Sequence, residues 1–330
     1  MRARALRGRT EYRPNNFRHT RIVGVSEVEL PTVKRINGEK MVPNPILSIG
    51  DVHVYMYGLM IAIGILCCFW VLFNYTKILA IPTRYVDFIF YDGIASIVIG
   101  FVGSALWQSI FSFIEARQTN PDAVFTPFGN GITAIGGITV GAVTFIIIAL
   151  CFKKRYPYLL TKTVIFAPCC ITIAHAFGRL GCFFAGCCYG RPVAEGDIFG
   201  FLGVIFQPGS TPYDKYGAVP VYPTQLFEAV FLFVLFGVLS FLVVKKNFRY
   251  SMCVYLVAYG IWRFFIEFLR ADDRGAFVGV LSPSQTLSIG LVLLAIPTFF
   301  LMKYFTQKMY EYESTLDNEP IDPDLEEIEE

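Results

Sequence analysis

Long apolar runs separated by polar loops recur along this chain, and each run is long enough to cross a bilayer. A hydrocarbon core about 30 Å thick needs roughly 20 apolar residues per helix. Seven stretches meet that length, at about 55–75, 86–114, 133–152, 163–185, 224–245, 250–269 and 281–303. The pattern predicts an all-α membrane protein, with about seven transmembrane helices in one bundle and an outside arm or loop region. Composition agrees, since 55% of the residues are hydrophobic and 16% charged, far from the balance of a soluble domain.

Charge divides the chain into three parts. Residues 41–305 form the transmembrane domain and 306–330 an acidic cytoplasmic tail. Residues 1–40 carry Arg2, Arg4, Arg7, Arg9, Arg13, Arg18 and Arg21 without the apolar core of a secretory signal. This basic extension reads either as a mis-called start ahead of Met41 or as a disordered arm. Lys77 and Arg84 follow the first run, Lys153, Lys154, Arg155 and Lys162 the third, Lys245, Lys246 and Arg249 the fifth, and Lys303 and Lys308 the seventh. Basic loops stay in the cytoplasm, so the bundle is expected to start outside and end inside. No nucleic-acid, dinucleotide or P-loop motif is present.

Ionisable residues inside a span are expensive and usually face a cavity or a partner. In the fourth span His175, Arg179 and Cys182, spaced by four and three, share one helix face. Tyr259, Arg263, Glu267 and Arg270 make a second stripe in the sixth. The fifth opens with VYPTQLFEAV, which sets Tyr222, Gln225 and Glu228 near the outer membrane surface. Two arginines from different helices exceed what one glutamate cancels, and guanidinium groups match phosphate oxygens, so an anionic lipid headgroup is the expected ligand. Packing and anchoring are the alternatives: Arg263 with Glu267 as a structural pair, Glu228 as a cap or pair, Arg270 as an interfacial anchor.

Glycines mark the same region. GITAIGGITVG, with Gly136 and Gly137, allows close helix approach or exposes backbone amides to an anion. Gly178, Gly181, Gly186 and Gly190 thin the end of the fourth span and permit a break there. Six of the nine cysteines lie at membrane depth as small hydrophobes, whereas Cys182, Cys187 and Cys188 stand where that span leaves the membrane.

The motifs NPILSIG, YGLMIAIG, AIGGITVG, GRLGCFFAGCCYGR, YPTQLFE, YGIWRFFIEFLRADD and LSPSQTLSI occur in this order over residues 41–305. In order and spacing they resemble the prolipoprotein diacylglyceryl transferase family. The resemblance implies seven spans in the bacterial cytoplasmic membrane, with the start outside and the end in the cytoplasm. It also implies transfer of a diacylglyceryl group from phosphatidylglycerol to the cysteine thiol of lipobox-containing prolipoproteins, forming a thioether, with the bilayer as the third partner. It carries over Arg179, Gly186, Gly190, Glu228, Tyr259, Arg263, Glu267 and Tyr57.

The chain departs from the family pattern at Ile135 and Tyr222, where that pattern usually has histidines. It departs again at Cys182, Ala185 and Cys187, where asparagine, asparagine and glutamate are usual. The expected catalytic residues are Arg179, Arg263, Glu267, Tyr259 and His175, the last as a candidate base. The expected substrate-binding residues are Arg179, Arg263, Tyr57, Glu228, Gly136, Gly137, Gly186, Gly190, Cys182 and Cys187. No cofactor and no metal is expected. Two alternatives stay open: the same fold with another lipid donor or thiol acceptor, and a membrane thiol redox or metal-binding protein built on Cys182, Cys187 and Cys188, joined by Cys169, Cys170 or His175. The spacing of these cysteines is unlike the CxxC pairs of zinc and redox motifs.

Overall fold

The computed structural model describes residues 47–49, 52–128, 131, 133–271 and 281–317. The basic extension, the loop holding Asp272 and Asp273, the Ile135 side chain and the acidic end beyond Asp317 lie outside the described residues. A short antiparallel pair, β1 (Leu47–Ile49) and β2 (Val52–Val54), leads into α1 (Met56–Ile78). The chain then stops and turns: Ala80 adopts φ 51, and Ile81 is held out of helix by the ring of Pro82.

Next come α2 (Thr83–Thr119) and α3 (Ala134–Cys151), which lie against each other through small residues. A Cβ on Gly100 would stand 2.9 Å from the Gly137 carbonyl oxygen, and one on Gly103 2.6 Å from Val140. Backbones approach this closely only without side chains between them.

The most enclosed span is α4 (Leu159–Phe184), which packs against α1 and α6 (Thr224–Lys246) and touches α7 (Ser251–Ile266). Its core layer joins Val71, Phe166, Cys169, Leu239 and Val243. A 3-10 turn, Glu267–Leu269, prolongs α7, and α8 (Pro283–Asp317) packs back on it. Gly260 makes that contact possible, because a Cβ there would meet Val292 at 2.8 Å.

Six of these helices are long and apolar enough to cross a membrane, and α3 supplies a shorter apolar one. Leu66, Trp70, Val98, Phe241, Phe265 and Leu293 are exposed on their outer faces. Such surfaces demand lipid rather than water, so this is a multi-pass membrane protein with an all-α bundle. Both α2 and α8 run past the predicted spans 86–114 and 281–303, and residue 306 lies inside α8. A helix continues beyond the bilayer wherever polar residues still favour it, and hydropathy does not mark that end.

The segment between α4 and α6 is not an open loop. It holds a 3-10 turn (Gly200–Leu202), α5 (Thr211–Tyr216) and single bridges pairing Gly190 with Arg270, Pro192 with Val221 and Val204 with Val221. Phe183, Tyr189, Val204, Phe206 and Val221 fill a second core beneath them. At the other end of the bundle, Lys162 pairs with Glu313 and the Arg249 guanidinium lies 4.5 Å over the Tyr310 ring.

Candidate active site

The end of α4, the start of α6 and the end of α7 converge on one group of polar side chains. Glu228, fully buried on the first turns of α6, receives Arg179 Nη2 of α4 at 3.0 Å and the Tyr259 hydroxyl of α7 at 2.9 Å. Arg179 Nε also donates to His175 Nε2 at 3.3 Å, one turn back on the same face. The His175 ring sits edge-on to Tyr259 with centroids 5.1 Å apart. Helical spacing explains the His175–Arg179 contact, whereas the meeting with Glu228 is tertiary.

A second group follows along α7. Arg263 Nη1 lies 2.8 Å from Glu267 Oε2, its Nη2 donates to Ser284 Oγ at 2.7 Å, and Ser282 donates to Glu267 Oε1 at 2.9 Å. Arg270 Nε approaches Glu267 at 3.8 Å with its side chain 3% exposed. The expectation of an interfacial anchor is therefore corrected, because Arg270 faces inward. Tyr259 and Arg263, four residues apart, share one face of α7 and so make the two groups neighbours.

The charge count also changes. Arg179 meets Glu228, while Arg263 and Arg270 share Glu267, so among the described residues of this site three arginines face two glutamates. That balance is less positive than the stripes alone suggest, because Glu228 reaches Arg179 from another helix.

The chain leaving α4 turns sharply at Gly186 (φ +64) and Cys188 (φ +63). Gln225 Nε2 donates to the Cys187 carbonyl at 2.6 Å and Thr224 to the Cys188 carbonyl at 2.8 Å, so the start of α6 clamps the turn. Gly190 then passes between two backbones: its N–H donates to Tyr222 O at 2.8 Å and the Arg191 N–H to Leu269 O at 2.7 Å. A Cβ on Gly190 would stand 2.7 Å from both carbonyl oxygens.

The Sγ atoms of Cys182, Cys187 and Cys188 lie within 4.8 Å of one another, and all nine cysteines are free. Cys187 Sγ donates to the Cys182 backbone carbonyl at 3.6 Å, and the two neighbouring thiols, with Arg270, hold the Cys188 thiol below its ordinary value. Tyr57 of α1 lies over Gly181, within reach of the three thiols and Arg179.

The structure thus gathers His175, Arg179, Glu228, Tyr259, Arg263 and Glu267, with Tyr57, Cys182, Cys187, Gly186 and Gly190 beside them. Gly136 and Gly137 are placed differently, against Trp107 and Ser104 of α2, and serve helix packing there. Sequence reasoning missed Ser282 and Ser284. Their signal was the serine-rich opening of the last span, LSPSQ. It also missed Asp92, buried on α2 and accepting from Ser96 at 3.2 Å, an isolated aspartate in an apolar run.

The family model described as prolipoprotein diacylglyceryl transferase matches residues 44–301. Phosphatidylglycerol–prolipoprotein diacylglyceryl transferase 2 of Clostridium perfringens is 34% identical over 254 residues, covering 74% of this chain and 90% of the relative. The transferase of that name in Clostridium tetani is 32% identical over 77% of this chain and 95% of its own length. Its counterpart in Dehalococcoides mccartyi is 32% identical over 79% and 94%.

Proposed function

This chain belongs to the prolipoprotein diacylglyceryl transferase family, and on that premise we propose that it moves a diacylglyceryl group from phosphatidylglycerol to the cysteine thiol of a prolipoprotein. The observation that carries this reading is the pair of guanidinium groups presented from two spans, Arg179 held with Tyr259 on Glu228 and Arg263 one turn further along α7 on Glu267. Among the described residues three arginines, Arg179, Arg263 and Arg270, meet two glutamates there, and an anionic phosphate suits that balance.

In this reading the acceptor sulfur attacks the glyceryl carbon that bears the phosphate ester. A sulfur–carbon bond forms, a carbon–oxygen bond breaks, and the bonding pair leaves with glycerol phosphate. Charge gathers on that phosphate in the transition state, and preformed cations facing it provide the main electrostatic help. Glu228 and Glu267 are positioning residues: each holds an arginine in one rotamer, so little reorganisation accompanies the reaction. Tyr259 orients Glu228, and Ser284 fixes the free edge of Arg263. Tyr57, with Gly186 and Gly190, is assigned to the lipid-binding side beside Arg179, and His175 to the thiol proton.

The enzyme works in the bacterial cell membrane, with the start of the bundle outside and α8 ending in the cytoplasm. The basic end that holds Arg84, Lys162, Arg249 and Lys308 supports that orientation. Incubating the purified protein with phosphatidylglycerol and a lipobox peptide tests the activity. Mass spectrometry is expected to find the peptide heavier by one diacylglyceryl group, and the Cys→Ser peptide unchanged. No product, with an active family enzyme run in parallel, refutes the reading.

A further inference from the structure

Cys182, Cys187 and Cys188 have no part in the scheme above, yet their thiols are gathered tightly. Cys182 stands in the last turn of α4 and the other two beyond it, and their Sγ atoms still fall within 4.8 Å of one another. The left-handed turn at Cys188 contributes to this, and for a residue with a Cβ that conformation is strained. Hydrogen bonds from Thr224 and Gln225 hold the turn in place. A disulfide would use two of these sulfurs, whereas here all three pairs are close. A tetrahedral zinc-type ion with metal–sulfur bonds near 2.3 Å spaces its sulfurs about 3.8 Å apart, and small side-chain rotations reach that from the present separations.

We propose that Cys182, Cys187 and Cys188 bind a thiophilic divalent ion as three thiolates, leaving a fourth position open for the acceptor cysteine. Three thiolates around a divalent ion carry one net negative charge. Arg270 beside Cys188, and Arg179 within reach of Cys182 and Cys188, offset it. Catalytic zinc sites characteristically keep three protein ligands and one open position, and a coordinating thiol is deprotonated outright. The acceptor thiol therefore gives up its proton on binding, the proton that the scheme above assigns to His175. The acceptor sulfur then forms the bond to the glyceryl carbon, and the departing phosphate takes the carbon–oxygen pair toward Arg179. The open-position role rests on the lipid-transfer reading; the metal site does not.

The test uses full-length protein in detergent, reduced, stripped with a chelator and titrated anaerobically with Co2+. One Co2+ per chain is expected, with thiolate charge-transfer and tetrahedral d–d bands that Zn2+ displaces. Binding should weaken by at least about a hundredfold in C182S/C187S/C188S and stay unchanged in C67S/C253S. The single variant C187S is expected to lose charge-transfer intensity even if the triple variant fails to fold. A lipobox peptide is expected to shift the bands, and its Cys→Ser form is not. Absence of thiolate bands, bands that survive in the triple variant, or a disulfide within the trio that resists reductant overturns the site. Bands indifferent to the peptide thiol overturn the open-position role. Lipid transfer is measured alongside: bands without any transfer sink the enzymatic reading and leave the metal site standing, whereas transfer without bands sinks the site alone.

Discussion

Truncating Glu228 tests whether the bundle is organised around its buried charge. At 3.0 Å from Arg179, the pair attracts by roughly 5.5 kcal/mol at an effective dielectric near 20, before desolvation is counted. Tyr259 adds a hydrogen bond to a charged acceptor, about 1.5–3 kcal/mol. Desolvating both ions offsets much of that, so a net gain over an apolar pair is not expected. Stranding is what the mutation measures. Glu228→Ala leaves Arg179 buried without its counter-ion and is expected to cost about 3–5 kcal/mol. R179M/E228L removes both charges and should cost less than its singles combined, giving a coupling of about 2 kcal/mol or more. Unfolding by SDS in mixed micelles, followed by far-ultraviolet circular dichroism, measures each corner of the cycle. A cost under about 1 kcal/mol for Glu228→Ala, with no coupling, would refute the reasoning.

Three further outcomes are expected. Arg263→Lys replaces a fork that reaches both Glu267 and Ser284 with one point charge, and lipid transfer should fall by roughly a hundredfold while the melting point stays close to wild type. Gly190→Ala drives a Cβ against two hydrogen-bonded carbonyls, so stability in the SDS titration should drop by about 1–3 kcal/mol. The Tyr222 phenol, then the Phe199 backbone N–H and then the Arg191 guanidinium hold the Asp197 carboxyl below its ordinary value. Its contribution is therefore present above the unfolded carboxylate range, near about 4, and is lost as pH falls through the lower folded value. Melting curves across that acid range should show a slope that Tyr222→Phe flattens; an unchanged slope would remove the contact from the account.

Much of this molecule is legible in its sequence because lipid imposes a simple rule. Each backbone must satisfy itself in a helix, so seven apolar runs announce seven helices and their order. Helix faces are equally readable: His175 and Arg179 touch because four residues nearly close a turn. Contacts between helices obey no such spacing. The pairing of Glu228 with Arg179 depends on how α6 leans on α4, and the inward turn of Arg270 depends on a one-residue bridge to Gly190. The cysteine trio is visible in the sequence, yet its spacing matches no metal motif, for a third reason. Its geometry comes from two left-handed residues, Gly186 and Cys188, on either side of Cys187, and spacing rules for metal motifs assume simpler turns.

Gln225 and Glu228 sit three residues apart near the start of α6. One side chain carries the cysteine turn, while the other carries the counter-ion of Arg179. A single lever therefore sets the thiols and the guanidinium together, and a tilt or rotation of α6 displaces both by related amounts. Inserting one residue between them would swing one anchor about 100° around the helix axis relative to the other. The two halves of the site share a mechanical gauge, so neither can be retuned by moving α6 without disturbing the other.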